Sequence, residues 1–311
     1  MNYWKNKRVL VTGANGFIGN ALYKKLTCLG ALTTGTQYLS NFEGFIPIDL
    51  RDKKAVDSLF REFCFEMVLH TAAVDGNSVF KRENGLRILS ENIVMGLNIL
   101  NAGHENNVPD LMAISSADIY STNDTAPILE ENDYREGINQ AANEYIKTKI
   151  ALELLSLSFA KSGKMRVYLP RPTNVFGPDF SHRKLARGVV AIMIDNALAN
   201  KDIEIWNGGV QIRDFIYIND CTEMLLKMIE SGQPGVCNIS SSCSISIIEL
   251  AKMIIKLTNS KSTIVHKFQD GLDLCDFRVL DTKKRLTFYA LQATSLEEGL
   301  LATISSIVNR P

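Results

Sequence analysis

The feature that most constrains this chain is the run Thr12-Gly13-Ala14-Asn15-Gly16-Phe17-Ile18-Gly19. It follows a short β-branched stretch, Arg8 to Thr12. It opens a segment, Phe17 to Leu29, whose Ile18, Leu22 and Leu26 share one helical face. Glycine allows a tight turn, close approach of backbone to a pyrophosphate, and close helix–strand packing. The free N–H groups at the helix start favour an anion. The spacing is Gly-x-x-Gly-x-x-Gly rather than Gly-x-Gly-x-x-Gly. Gly13, Asn15, Gly16, Phe17, Ile18 and Gly19 are therefore candidate dinucleotide contacts, with an ordinary glycine-rich turn as the alternative.

Strand-like and helix-like segments alternate after this turn. Strands are expected at 32–36, 44–48, 66–70, 111–115 and 166–169, and helices at 52–63, 86–102 and 143–160. In the 86–102 helix, Leu86, Leu89, Ile93, Leu97 and Leu100 form an apolar stripe. Such alternation predicts an α/β fold, a doubly wound parallel sheet covered on both faces. After Pro170 the texture changes to a Pro- and Gly-rich stretch, then helix at 185–199, strands at 203–206 and 212–218, and helices at 219–231, 245–258 and 295–308. The Ser-rich stretch 240–246 reads as a loop. The expected division is a dinucleotide domain, 1–172, and a smaller C-terminal substrate-binding lobe, 173–311, with segments at about 212–240 returning to the first domain.

Composition removes several function classes. Lys plus Arg number 34 and Asp plus Glu 34, so nothing favours binding to nucleic acid or to an anionic membrane surface. No apolar run reaches the roughly 20 residues of a membrane span, and Val9 to Val11 is too short for a signal peptide. The six cysteines lack zinc or disulfide-framework spacing and read as reduced thiols of a cytoplasmic protein. With four scattered histidines, no metal site is expected.

Tyr145 and Lys149 stand four apart on an expected helix and so share a face. A cation beside a phenol lowers its pKa from about 10, which suits proton exchange with a hydroxyl or carbonyl at neutral pH. The spacing alone is weak, because Tyr3 and Lys7 show it too, ahead of the first strand and with no function assigned.

Taken in order, these segments resemble the extended short-chain dehydrogenase/reductase family, in its nucleotide-sugar branch. The nearest likeness is to reductases of the GDP-fucose-synthase kind. The resemblance runs from about residue 7 to about residue 255. It implies an enzyme in which Asp49 and Leu50 hold the adenine. Thr71, Ala72 and Ala73 would lie beside the cofactor, and Asn92 would be structural. Ser116 would be the catalytic serine, with Ser115 its neighbouring alternative, and Tyr145 and Lys149 the catalytic pair, both also contacting the cofactor, Lys149 through the nicotinamide ribose hydroxyls. The segments 171–178 and 213–220 would line the nucleotide-sugar site. Asn174 and Arg213 are the substrate candidates there, Arg213 as a bidentate phosphate donor or else the salt-bridge partner of Asp214. His182 lies near the family's histidine without aligning cleanly.

Two departures from the family pattern bear on the reaction. Dehydratases of the family carry Asp-Glu just after the catalytic residue, where this chain has Ala117-Asp118. Dehydration is thus disfavoured, with Asp118 retained as a candidate acid or a surface carboxylate. The residues about 20 beyond the glycines, Thr36-Gln37-Tyr38, include no acid for the ribose hydroxyls. Of the two forms of NAD(P), this favours NADP(H), although no arginine adjoins. The expected activity is reduction of a 4-keto nucleotide sugar, with or without epimerisation. The alternatives are a 4-epimerase with tightly held NAD, then a 4,6-dehydratase or a silent dinucleotide-binding protein. By resemblance, the chain would form a homodimer through helices 86–102 and 143–160, the alternative being that their apolar residues pack on their own sheet.

Overall fold

A computed structural model describes residues 2–38, 44–121, 124–132, 143–178, 188–268, 277–290 and 292–309. Its main sheet has seven parallel strands. They are β1 (Arg8–Thr12), β2 (Leu32–Gln37), β3 (Ile46–Pro47), β4 (Met67–His70), β5 (Asp110–Ala113), β6 (Arg166–Pro172) and β10 (Gly235–Ile239). Their spatial order is β10-β6-β5-β4-β1-β2-β3, so strand order reverses between β1 and β4. At such a reversal the helices leave in opposite directions and open a crevice beyond the strands' carboxyl ends.

Alternation along the strands builds two cores. Val9, Val11, Met67, Leu69, Met112 and Tyr168 face one side and bury Leu22 and Leu26 of α1 (Phe17–Cys28) with Met224 and Leu225 of α7 (Ile218–Glu230). Leu10, Val68, Leu111, Val167 and Leu169 face the other. They pack on α2 (Lys53–Phe63), α4 (Gly85–Glu105) and α5 (Glu144–Ala160). Burial on both faces explains why these strands are near-continuous apolar runs.

A third core lies in the second half. Val190, Met193 and Ile194 of α6 (Val189–Leu198) meet Ile203 and Ile205 of β8 (Ile203–Trp206) and Phe215 of β9 (Ile212–Tyr217). Leu250 and Ile254 of α8 (Ile247–Leu257) and Leu300 and Ile304 of α10 (Leu296–Val308) complete it. Here β9 pairs with β7 (Asn174–Phe176), β11 (Ser244–Ser246) and β13 (Phe277–Arg278), while β8 pairs with β12 (Ile264–Lys267). Two short helices, α3 (Ser78–Glu83) and α9 (Lys283–Leu286), complete the described elements.

Three expectations need correction. Residues 244–246 form strand β11 rather than loop, because β9 offers an antiparallel edge that serine and isoleucine can join. β6 continues through Pro172, since β10 pairs with it along residues 168–172. The expected stripe on α4 is not its buried face: Leu100 is buried against the sheet, Leu89 and Ile93 are half-buried, and Leu86, at 81 %, and Leu97 are exposed. Val94 is exposed too, whereas Ile88, Asn92, Met95, Gly96 and Ile99 point inward. This helix is apolar on most sides, so periodicity could not tell its two faces apart. Gly96 decides which side packs, because a Cβ there would sit 2.7 Å from Leu152 of α5.

Candidate active site

The glycine turn closes against β4. Gly13 has φ +63°, and a Cβ on it would lie 2.8 Å from the Ala72 Cα. A Cβ on Gly19 would lie 2.3 Å from the Gly13 oxygen and 2.6 Å from the Thr71 hydroxyl. Neither position tolerates a side chain, so the turn holds the start of α1 directly over the crevice. Thr12 locks the two sides together. Its hydroxyl accepts from the N–H groups of Thr71 and Ala72 at 3.2 Å and bonds His70 Nδ1 at 2.9 Å. Burial pushes the His70 imidazole down to about 3, so it is neutral. Asn92 grips the backbone of Val74, accepting from its N–H at 2.6 Å and donating to its oxygen at 3.0 Å.

A groove of about 540 Å³ runs along this crevice. It is lined by Gly13, Asn15, Asp49, Leu50, Ala72 and Ala73 among the expected cofactor residues. Two buried oxygens beside it, Asn15 Oδ1 and Thr36 Oγ1, have no partner within the protein. Orphaned acceptors at a glycine cradle fit a dinucleotide, whose ribose and amide donors would satisfy them. Phe17 and Ile18 turn away and line a separate cavity of about 290 Å³ with Asn174 and Phe176. Gly16 caps α1, and the Thr71 hydroxyl donates to the Thr12 oxygen at 2.5 Å.

One feature of this groove escaped the sequence reading. Arg51 grips Asp49 with Nε and Nη2 at 2.8 and 2.7 Å, meets Glu91 at 2.7 Å, and donates to the Tyr38 hydroxyl at 2.9 Å. The Arg51 guanidinium holds the Asp49 carboxyl below its usual range. The count along β2 found no arginine because this one enters from beyond β3. Its place two residues after Asp49 was the available signal.

The Ser116, Tyr145 and Lys149 side chains gather past the ends of β5 and β4. Ser116 caps a short 3-10 turn, Ala117–Ile119, and its Oγ accepts from the Asp118 N–H at 3.1 Å. Ser115, by contrast, is buried with its Oγ unpartnered. Asn143 caps α5 by accepting from the N–H groups of Tyr145 and Ile146, which sets Tyr145 in the first turn. One turn on, Lys149 is buried and donates from Nζ to the Ile114 oxygen at 2.7 Å. Nζ stands 5.4 Å from the Tyr145 ring centroid.

The electrostatics differ from expectation. Burial, then the carboxylates of Asp75 and Asp118, push the Tyr145 phenol well above its usual value. Desolvation outweighs the neighbouring cation, and Lys149 itself is pushed down to about 8 by burial. The phenol is therefore protonated across the physiological range.

Asp118 is exposed but engaged, for Arg278 of β13 forms an ion pair with it. Arg278 reaches across 160 residues of sequence, and nothing in the local pattern announces it. On the neighbouring strand β9, Arg213 is half-buried and stands in register with Arg278. Its Nη1 donates to the Ile212 oxygen at 2.9 Å. It does not pair with Asp214, whose buried carboxyl accepts instead from Ser240 and the Leu280 N–H. Asn174 is exposed and donates to the Asp214 oxygen, tying β7 to β9. His182 lies outside the described residues. Among the described residues no cluster of side chains could hold a metal ion, and no helix is long and apolar enough to cross a membrane.

A switch-point crevice with a glycine cradle, beside a Ser/Tyr/Lys cluster, defines a dinucleotide-dependent oxidoreductase of the extended short-chain type. Comparison with known proteins agrees. The chain belongs to the NAD dependent epimerase/dehydratase family, whose model matches residues 9–240, and it is an enzyme. It is 31% identical over 265 residues to dTDP-4-dehydro-6-deoxy-D-allose reductase from a Streptomyces species, covering 81% of each chain. It is 25% identical to GDP-L-fucose synthase of Sinorhizobium fredii, covering 97% of this chain and 96% of that one. UDP-glucose 4-epimerase of Thermotoga maritima superposes with a TM-score of 0.87 at 25% identity, covering 97% and 98% of the two chains.

Proposed function

We propose that this enzyme reduces a 4-keto nucleotide sugar with NADPH. The observation that carries this reading is the half-buried Tyr145 with Lys149 Nζ 5.4 Å from its ring, together with Asp118 tied to Arg278. A reduced nicotinamide, when bound, would supply the hydride to the keto carbon. Tyr145 gives its phenolic proton to the oxygen as negative charge develops there, and Ser116 donates a hydrogen bond to the same oxygen. Lys149 steadies the resulting phenolate and binds the nicotinamide ribose hydroxyls. Elimination of water needs a free acid near the sugar. Ala117 offers none, and the Asp118 carboxylate is already engaged by Arg278. Arg213 is assigned to the substrate diphosphate, with Asn174 holding its strand and the histidine at position 182 a further substrate candidate. The glycine turn, Asp49, Leu50 and residues 71–73 are assigned to the cofactor.

The lean to NADPH rests on Thr36-Gln37-Tyr38, which itself supplies no carboxylate, and on Arg51 beside Tyr38. To test the function, the purified protein is denatured and any released dinucleotide identified. Loss of reduced cofactor is then followed with a panel of 4-keto nucleotide sugars. The expected result is an empty site that takes NADPH in preference to NADH and consumes it one for one with substrate. Stoichiometric bound NAD⁺ with no net consumption would replace this reading with 4-epimerisation.

We assign a homodimer to the outward faces of α4 and α5. Leu86, Val94 and Leu97 of α4 and Leu154 of α5 are exposed on two helices that pack side by side. Light scattering should give twice the 34.6 kDa chain mass. In a Leu97→Glu/Leu154→Glu variant that mass should halve; an unchanged mass would remove these helices from the interface. The five described cysteines are free thiols, which supports a reducing, cytoplasmic setting.

A further inference from the structure

A second lysine stands over the candidate catalytic tyrosine. Lys81 of α3 places Nζ 4.3 Å from the Tyr145 ring centroid, nearer than Lys149 at 5.4 Å. An ion pair of 3.0 Å with Asp75, in the loop after β4, holds it there. Both partners are largely covered, with side-chain exposures of 21% and 30%. A cation over an aromatic face is attracted by the ring, and more strongly once the ring carries negative charge.

We infer that Lys81, anchored by Asp75, is a positioning residue that fixes the plane of the Tyr145 ring and stabilises the phenolate left after proton delivery. This rests on the reading of Tyr145 as proton donor. Several charged groups bear on the Tyr145 phenol. Asp75 faces it from the loop after β4 and Asp118 from the turn after β5, with Arg278 behind Asp118. Lys81 faces it from α3 and Lys149 from α5 itself, while the neutral His70 lies next to Lys149. Burial first, and then the two carboxylates, favour the proton on the phenol before reaction. The two ammonium groups oppose them once it has left. Burial lowers the proton affinity of Lys149, and Lys81 adds a smaller contribution in the same direction.

Loss of Lys81 removes the cation and leaves Asp75 unpaired, and both changes raise the phenol pKa. The test compares Lys81→Met, Lys81→Gln and Lys81→Arg in two measurements. The first is ultraviolet titration of the Tyr145 phenol in protein saturated with NADP⁺, read as the difference from Tyr145→Phe. The expected result is an alkaline shift in Lys81→Met and Lys81→Gln, and little shift in Lys81→Arg. The second is the rate with a 4-keto nucleotide sugar, where kcat should fall about tenfold in the first two variants while KM for cofactor holds. An unmoved titration in Lys81→Met and Lys81→Gln would overturn the inference even in an active enzyme. Should no keto sugar react, the functional reading fails, yet the titration still decides the role of Lys81.

Discussion

Replacing Tyr145 by Phe should lower turnover about a thousandfold, the usual contribution of a positioned general acid, while leaving dinucleotide affinity within a few-fold of the parent. The asymmetry follows from geometry. The groove is lined by the glycine turn, Asp49 to Arg51 and residues 72–75, whereas Tyr145 stands on α5. The backbone N–H of Tyr145 is bonded by Asn143 whatever its side chain, so the helix start survives the change. Single-turnover rates with pre-bound NADPH are the decisive measurement, since they separate chemistry from binding. Near-parental turnover in this variant would remove Tyr145 from the chemistry and move the proton donor elsewhere.

The second large effect concerns stability. Glu153 on α5 and Arg171 on β6 form a bidentate pair at 2.9 and 2.7 Å, each side chain only 1% exposed. Arg171 also donates to the Tyr120 hydroxyl at 2.8 Å, which in turn donates to Asn238 of β10 at 2.6 Å. Glu153→Leu removes the bidentate carboxylate partner of a buried guanidinium and should cost about 3–5 kcal/mol, a fall in Tm on the order of 10 °C. The double variant Glu153→Leu/Arg171→Met removes both charges and should recover most of that loss. Calorimetry of the two variants beside the parent measures this coupling. If the double variant is as unstable as the single one, side-chain packing rather than the charges holds this helix. Glu153 also raises the proton affinity of Lys149 one turn earlier, so the single variant should lose activity beyond its loss of folded protein.

The first half of the fold could be read from the sequence because its strands are buried on both faces and its helices carry strong stops. β1 begins and ends where the β-branched run does, and α1 ends one residue before its expected limit. The second half was less legible for a physical reason. β7, β11 and β13 have three, three and two residues, and a strand that short is defined by its partner rather than by its own pattern. α3 was missed altogether, and Lys81 with it. The site divides in the same way. The glycines stand out by local spacing, and Tyr145 and Lys149 by that spacing together with their place on an expected helix after the serine strand. Arg278 meets Asp118, and Lys81 meets Tyr145, only because the fold folds distant segments together. The charge state of Tyr145 was misjudged because spacing reveals a neighbouring cation but not desolvation, and here desolvation dominates.

The return of residues 235–239 to the large sheet has a consequence for biosynthesis. While the chain is being made, β6 presents an open edge until some seventy further residues have left the ribosome, a separation set by Arg166–Pro172 pairing with Gly235–Ile239. A nascent chain arrested before Gly235 would carry the whole glycine turn and the Tyr145 helix, yet leave Tyr120 without the Asn238 that anchors it. Such a fragment would be a substrate for chaperones rather than a small working enzyme.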